Sequence, residues 1–577
     1  MSPRSRDTLV LAAICAMALA LRVIGLQYGL PAVYNPDEAA IMTRALSFAK
    51  GTLNPGNFLY PTFYFYVLFA WVGVYLGFLL LTGKVESIAA LQRLYFTAPT
   101  GIYTAGRALG AACGAATVAL LHRLTLRFAD PRAALAAAVF LAVAPLHVRD
   151  SHYVKHDVPA TLAIVVAYLA IARLWPAQRA DGPTSRDALL AGAACGVAFS
   201  THYYCVFLAV PLAFAVIARH RNDGVGTIVR GLAVAATASA VTFFALSPFI
   251  LLEPLTAWRD VVGNREIVVD RAVAEGAFAP AVRYMDMLWT DSAGQPIVAL
   301  AIAGALWMLA TSPARAALLL AFPVPFLLFI VNTAPASRYL NPVMPFVALF
   351  AGWTISQAAA RIRAGHAVFW IAVIAVAAPS LYGSIRAVQF FRQDDTRTLA
   401  QRYIEQHIGP GSTVVIQPHS VMLMPTRESL VEAVSQKLGS IEQASARLKL
   451  QLSLEPYPAP AYRLIYLGSG GLDADKIYVE YEDLGGSAGL NRLRSLGVAF
   501  VVVKRYNNPD PATLPFFDAL AQNGRRIAVF SPYRPGTTAA EQARVDPFLH
   551  NTDIRIAGAL ERPGPMLEIW ELNASGS

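Results

Sequence analysis

Charge is scarce in this chain. Only 15% of its 577 residues are Asp, Glu, Lys or Arg, against about 25% in an ordinary soluble domain. Cysteine is scarce too. Cys15, Cys113, Cys195 and Cys205 all lie inside apolar stretches, with no C-x-x-C spacing, which speaks against a disulfide framework or a cysteine metal site. No internal repeat or low-complexity tract is present. The net charge is +10, but the basic residues are scattered through short loops, so a nucleic-acid partner is not what they indicate.

What the chain has in quantity is apolar length. Hydrophobic residues make up 56% of it. Runs long enough to cross a bilayer, or nearly so, fall at 8–27, 61–82, 100–121, 134–147, 158–175, 188–200, 203–218, 231–251, 293–311, 316–331, 341–358 and 367–386, given the ~20 residues a spanning helix needs. Arg4 and Arg6 precede the first run as in a secretory signal, but the many spans behind it make it a retained first helix.

Lys and Arg collect in cytoplasmic loops. If Arg4 and Arg6 are cytoplasmic, the loops with Arg123, Arg127 and Arg132, with Arg179 and Arg186, with Arg219, Arg221 and Arg230, with Arg315, and with Arg361 and Arg363 should be so too. All five fit only if 61–82 enters or lies along the membrane without crossing. The count is then eleven crossings. The acid pair Asp37-Glu38, the loops 148–157, 252–292 and 332–340, and the tail share the outer face.

From Asp394 onward charges are frequent and apolar runs short. The expected organisation is a polytopic α-helical membrane domain, 1–389, and a soluble extracytoplasmic α/β domain, 390–577. β-Branched or aromatic runs at 412–416, 464–467, 499–503 and 527–530 read as strands. A helix is expected over 396–407, capped by Asp394 or Asp395. The tail holds no nucleophile elbow, P-loop or metal signature.

A handful of polar residues at the outer face need explaining. Asp37 and Glu38 follow Pro36 in the first outer loop; Pro-Asp-Glu suits a first helical turn, and it equally suits a general base beside a second carboxylate that orients the acceptor or helps hold a cation. The stretch His147–Asp157 packs three His, two Asp, one Arg and one Lys. His152 and His156 have i, i+4 spacing for a divalent metal if that loop is helical; a charged interfacial loop is the plainer account. Asp157 stands at a membrane entry, where a carboxylate is costly unless used. His202 is as readily a hydrogen-bonded structural residue. Arg338 beside Tyr339 either grips a phosphate with its forked donors or anchors a helix at headgroup level. Arg44, Lys155 and Arg265 are further outer-face cations for the same task. The aromatic tract 57–66 reads as an interfacial belt, with Tyr60-Pro61 shaping a wall of the site.

Taken in order, Asp37-Glu38, the Tyr60-Pro61 corner, Pro145-Leu146-His147-Val148-Arg149, Ser151-His152-Tyr153, Asp157-Val158-Pro159 and Ser337-Arg338-Tyr339-Leu340 resemble the GT-C glycosyltransferases. The likeness is to family-39-like bacterial enzymes related to protein O-mannosyltransferases and aminoarabinose transferases, and it covers residues 8–386. It implies inverting transfer of a sugar from a polyprenyl-phosphate-linked donor to a glycan, lipid or protein acceptor. The enzyme would be a multi-pass protein of the plasma (inner) membrane. Asp37 would be the base with Glu38 beside it. Asp157 would contact the acceptor or a metal, and Arg338 and Tyr339 would hold the lipid phosphate. No cofactor is certain and a divalent metal stays open. The alternative from another class is a transporter or flippase of lipid-linked glycans, which would be expected to carry ionisable groups at mid-membrane in repeated halves.

Overall fold

Several helices begin where proline interrupts an apolar run, because proline lacks only a donor that the first helical turn leaves unused. A computed structural model of the chain describes residues 3–175, 184–266, 278–468, 474–549 and 556–572; Arg179 and the side chains of Arg4 and Arg265 lie outside the described residues. The first part is helical: α1 (Pro3–Val23), α2 (Pro36–Leu46), α3 (Phe63–Leu81), α4 (Ile88–Thr97), α5 (Thr100–Thr125), α6 (Pro131–Ala142), α7 (Pro145–Asp150), α8 (Asp157–Leu174), α9 (Thr184–Thr201), α10 (Ala209–His220) and α11 (Val225–Leu246). Short helices at Pro248–Leu252, Pro254–Arg265 and Ala279–Met287 follow, and helices at Gln295–Thr311, Pro313–Leu320, Pro323–Ile330, Met344–Arg361 and His366–Phe391 complete it.

All twelve apolar runs are thus helical. Among the described residues seven helices are long and apolar enough to cross a membrane, or nine if each bent pair counts as one span. The count of eleven also takes in α1, α6 and α9. α6, with 12 residues, is ~18 Å long and ends before the α7 turn that Pro145 begins. α1 carries Arg22 inside the bundle, fully buried, with its guanidinium on the carbonyls of Ala18, Leu141 and Ala142.

The direction of α3 bears on the crossing count. α1 runs antiparallel to α5, with Asp7 near His122 and Arg22 against Gly114. α3 runs antiparallel to the other end of α5: Leu68 lies against Gly106, Trp71 Nε1 donates to Ala105 O, and Tyr75 lies against Gly101. α3 therefore continues in the direction of α1 instead of returning. That is the arrangement the loop charges require, although α3 passes the length and composition test for a span.

The C-terminal part is α/β. Its strands are β1 (Thr413–Ile416), β2 (Arg463–Leu467), β3 (Ile477–Val479), β4 (Val498–Arg505), β5 (Gly524–Phe530) and β6 (Met566–Leu572). They form one sheet in the order β3-β2-β1-β4-β6-β5. The first four are parallel; β6 runs antiparallel to both neighbours. Alternate side chains point to opposite faces. Val414, Ile416, Leu464 and Val502 pack under the helix Thr396–His407. Val415, Ile465, Val501 and Val503 pack against the helices Gly486–Ser495 and Leu514–Asn523. Asp395 caps the first of these helices. β3 and β6 were not expected from the sequence.

This sheet domain sits on the face where α1 ends. Tyr34 Oη and Thr398 Oγ1 are 2.8 Å apart, the Arg397 guanidinium lies 3.8 Å over the Tyr34 ring, and Arg93 donates to Pro456 O at 2.7 Å. In a background without the four native cysteines, Gly83→Cys should be labelled by a membrane-impermeant thiol reagent from the same side as Asp394→Cys, and Arg127→Cys from the other. Labelling of Gly83→Cys together with Arg127→Cys would make α3 a full crossing.

Candidate active site

Asp37 takes its place from the first turn of α2. Pro36 opens the helix, and the Asn35 side chain accepts the Asp37 N–H at 3.1 Å. Successive side chains on a helix diverge by about 100°, so the two adjacent acids part. Glu38 turns inward and is fully buried. It forks onto Arg107 of α5 at 2.9 and 2.8 Å and accepts the Val154 N–H at 2.9 Å. Arg107 Nη1 donates to the carbonyls of Leu26 and Tyr28, both at 2.7 Å.

Asp37 turns outward and is partly exposed. Its Oδ2 lies 3.1 Å from Lys155 Nζ and 3.8 Å from Arg338 Nη1. Behind them Asp157 opens α8, where a helix N-terminus favours an anion. It is buried, lies within electrostatic reach of Arg338, Lys155 and Asp37, and accepts no side-chain hydrogen bond from the described residues. Arg338 and Tyr339 stand on the 3₁₀ turn Ser337–Val343, with the guanidinium 5.0 Å over the Tyr339 ring. A buried network fixes that turn: Arg149 donates to Ser337 Oγ at 2.9 Å and pairs with Asp150, and Asn341 Nδ2 donates to Asp150 at 2.6 Å. Two acids and two bases from three separate stretches of chain thus meet at one face of the bundle.

The fields at this cluster have identifiable sources. Burial alone would raise the Asp37 carboxyl, but Lys155 and Arg338 outweigh it and hold it below the usual carboxylate range. Tyr60 stacks on His156, ring centroids 4.3 Å apart. Burial pushes the Tyr60 phenol above its ordinary value, so it stays a donor facing Arg338, Asp157 and Asp37. Burial, with Arg338 adding, pushes His202 down to about 3, which keeps that imidazole neutral.

Several expected roles are corrected by this geometry. Glu38 is committed through both oxygens to Arg107 and Val154, so it fastens α2 and does not face the reacting groups. The loop after α7 is a run of turns, not a helix, so His152 and His156 do not share a helix face. His152 has both ring nitrogens on carbonyls, Val148 O and Ile24 O, each at 2.9 Å. His156 is enclosed by Tyr60, Tyr64, Phe65 and His202. Among the described residues no group of three His, Cys, Asp or Glu side chains is placed to hold a metal, and these two histidines do not fit one. Arg44 stands at the far end of α2, over the Phe65 ring at 5.4 Å, and is not part of the Asp37 cluster. The sequence reading gave no role to Arg107, Arg149, Asp150 or Asn341; a lone arginine inside an apolar span was the available signal for the first.

Residues 88–251 match the family described as dolichyl-phosphate-mannose-protein mannosyltransferase. No curated protein matches the chain. Among solved structures the chain is similar to ArnT from Cupriavidus metallidurans bound to undecaprenyl phosphate, at 13% identity and TM-score 0.49, covering 92% of this chain and 97% of that one. It is similar to the oligosaccharyltransferase AglB from Archaeoglobus fulgidus in complex with an inhibitory peptide and a dolichol-phosphate, at 12% identity and TM-score 0.48, covering 92% and 73%. It is also similar to the arabinofuranosyltransferase AftD from Mycobacteria, at 14% identity and TM-score 0.43, covering 100% and 42%. The matched family is one of glycosyltransferases, the reaction class that the sequence resembles.

Removing one member of a buried ion pair strands the other, at a cost of about 3–5 kcal/mol. Glu38→Ala should therefore lower the unfolding temperature of the purified protein by several degrees, while Asp37→Asn leaves it near wild type. Equal melting of the wild type and Glu38→Ala would remove the fastening role.

Proposed function

We propose that this chain is a membrane glycosyltransferase that takes a sugar from a polyprenyl-phosphate-linked donor, with inversion, on the extracytoplasmic face. The observation that carries the reading is the cluster itself: a partly exposed, ionised Asp37 held between Lys155 and Arg338, with buried Asp157 behind it. The match of residues 88–251 to a mannosyltransferase family supports the reaction class. The loops with Arg123, Arg127, Arg132, Arg315 and Arg361 at the opposite end of the bundle support the assignment of sides. A plasma-membrane location is part of the same proposal.

In this reading Asp37 takes the proton from the acceptor hydroxyl or amine as that atom attacks the anomeric carbon. The bond from that carbon to the phosphate oxygen breaks, and the carrier phosphate leaves with one more negative charge. Arg338 and Lys155 are the cations placed to receive that charge, and preorganised donors at a developing anion are commonly the largest catalytic contribution. Tyr339 holds the Arg338 guanidinium from one side. Asp157 offers free carboxylate oxygens to acceptor hydroxyls. The sugar and the acceptor are set by contacts beyond these residues.

The test is transfer of label from radiolabelled polyprenyl-phosphate sugars to a crude envelope extract by the purified protein in lipid. Asp37→Asn should reduce turnover by about 10²–10⁴-fold, the usual contribution of a general base, at unchanged folding; full transfer by that variant would remove the base assignment. Because the Asp37 carboxyl sits below the usual range, its base form persists as pH falls. The acid limb of kcat/KM for the donor, which reports the donor-free enzyme, should therefore lie below the ordinary carboxylate range, and move toward it in Lys155→Gln.

A further inference from the structure

The sheet domain carries a constellation that the transfer chemistry does not use. The chain moves from β1 out to β2 and β3 and then returns past β1 to β4. The strand order therefore reverses between β1 and β4. In open α/β sheets the crevice outside the carboxyl ends of the strands at such a reversal is where ligands bind. The residues that leave these two strand ends are Gln417, Pro418, His419 and Ser420 after β1, and Lys504, Arg505 and Tyr506 at the end of β4.

The Lys504 N–H donates to Gln417 Oε1 at 2.7 Å, and Lys504 Nζ donates to Pro418 O at 2.6 Å. Among the described residues the ammonium has no carboxylate partner; the Tyr506 ring flanks it, with Nζ 5.4 Å from the ring centroid. Arg397, almost fully buried, faces it from the helix Thr396–His407 and is forked onto Asp395 at 2.9 and 2.8 Å. Burial and Arg397 together push Lys504 down to about 8. Asp395 already meets the Arg397 guanidinium, so the Lys504 ammonium is the cation that an incoming anion would pair with. Ser420 is fully buried and its Oγ has no hydrogen-bond partner. His419 holds φ at +61°, a left-handed conformation that costs a non-glycine residue energy and persists where the surroundings demand it.

The crevice also touches the first outer loop. Arg397 stacks on Tyr34 at 3.8 Å, and Tyr34 precedes Asn35, the cap of the helix that carries Asp37. A ligand group bound by Lys504 and Arg397 would therefore sit on the sheet domain beside the loop that presents the candidate base.

We propose that this crevice, formed by Gln417, Ser420, Lys504 and Tyr506 with Arg397 behind, binds a phosphate or carboxylate group of the acceptor. The site is assigned from the sheet domain alone; only its role as an acceptor subsite rests on the glycosyltransferase reading. The acceptor class it selects is an anionic glycan or an anionic lipid headgroup. An uncharged acceptor gains nothing from an ammonium that has no carboxylate partner.

The test is calorimetric titration of the full-length protein, in a maltoside detergent free of phosphate, with three probes: a hexose 6-phosphate, a hexuronate and a short-chain phosphatidic acid. At least one should bind saturably, and which one does identifies the source of the anion. Gln417→Glu places a carboxylate where an amide already accepts the Lys504 N–H, so the fold is retained while the site is neutralised; binding should weaken at least tenfold. Lys504→Gln should do the same and Lys504→Arg should restore it. Binding should be unchanged in Asp37→Asn, so that loss of transfer and loss of anion binding are read separately. No saturable binding of any probe, or equal binding by wild type and Gln417→Glu at matched unfolding temperature, overturns the proposal.

Discussion

The buried pair between Glu38 and Arg107 is the interaction on which the outer face depends. A carboxylate and a guanidinium removed from water are tolerable only when every donor and acceptor is used. Here Arg107 binds Glu38 by two donors and the carbonyls of Leu26 and Tyr28 by a third, and Glu38 also takes the Val154 N–H. One pair thereby ties the end of α1, the start of α2, the middle of α5 and the loop before α8. Those are the pieces that carry Asp37, Lys155 and Asp157. Because a misplaced partner would leave a buried charge, the pair sets the register of α2 against α5, and the outward direction of Asp37 follows from the turn of the helix.

Loop charges and short motifs brought the cluster within reach of the sequence. Asp37, Lys155, Asp157 and Arg338 are spread over three hundred positions, yet parity placed all four at one membrane face, and there they meet. What parity does not resolve is direction within a turn. Asp37 and Glu38 read as a pair in one dimension; 100° of helical rotation sends one to the cleft and the other into the bundle. The histidine reading failed for a related reason. Spacing at i, i+4 means proximity only on a helix, and the chain from Ser151 to Lys155 is a run of turns in which the His152 ring answers the Ile24 carbonyl just past α1.

The sheet domain was legible where strands are apolar and obscure where they are charged. β6 reads Met-Leu-Glu-Ile-Trp-Glu-Leu, and its two acids interrupt the apolar run. In the structure Glu571 meets Arg525, and Glu568 meets Arg505 and Arg526 on the flanking strands. Cross-strand pairs of this kind make sense of acids within a strand, but only once the neighbours are known. Strand order is equally a tertiary fact, and the reversal between β1 and β4 had no trace in the local pattern.

The resting charges at Asp37 cancel, and this has a bearing on timing. Lys155 and Arg338 are the natural seat for a phosphate, but an acid already occupies their field. On the proposed reading, an arriving carrier phosphate competes with Asp37 for both cations, and to the extent that it wins, the carboxylate regains basicity. The base is then strongest when the donor is present and subdued when it is not. Such a cluster acts as an interlock: activation of the acceptor waits on occupancy of the lipid side, and water entering an empty cleft meets a carboxylate that its neighbours hold quiet.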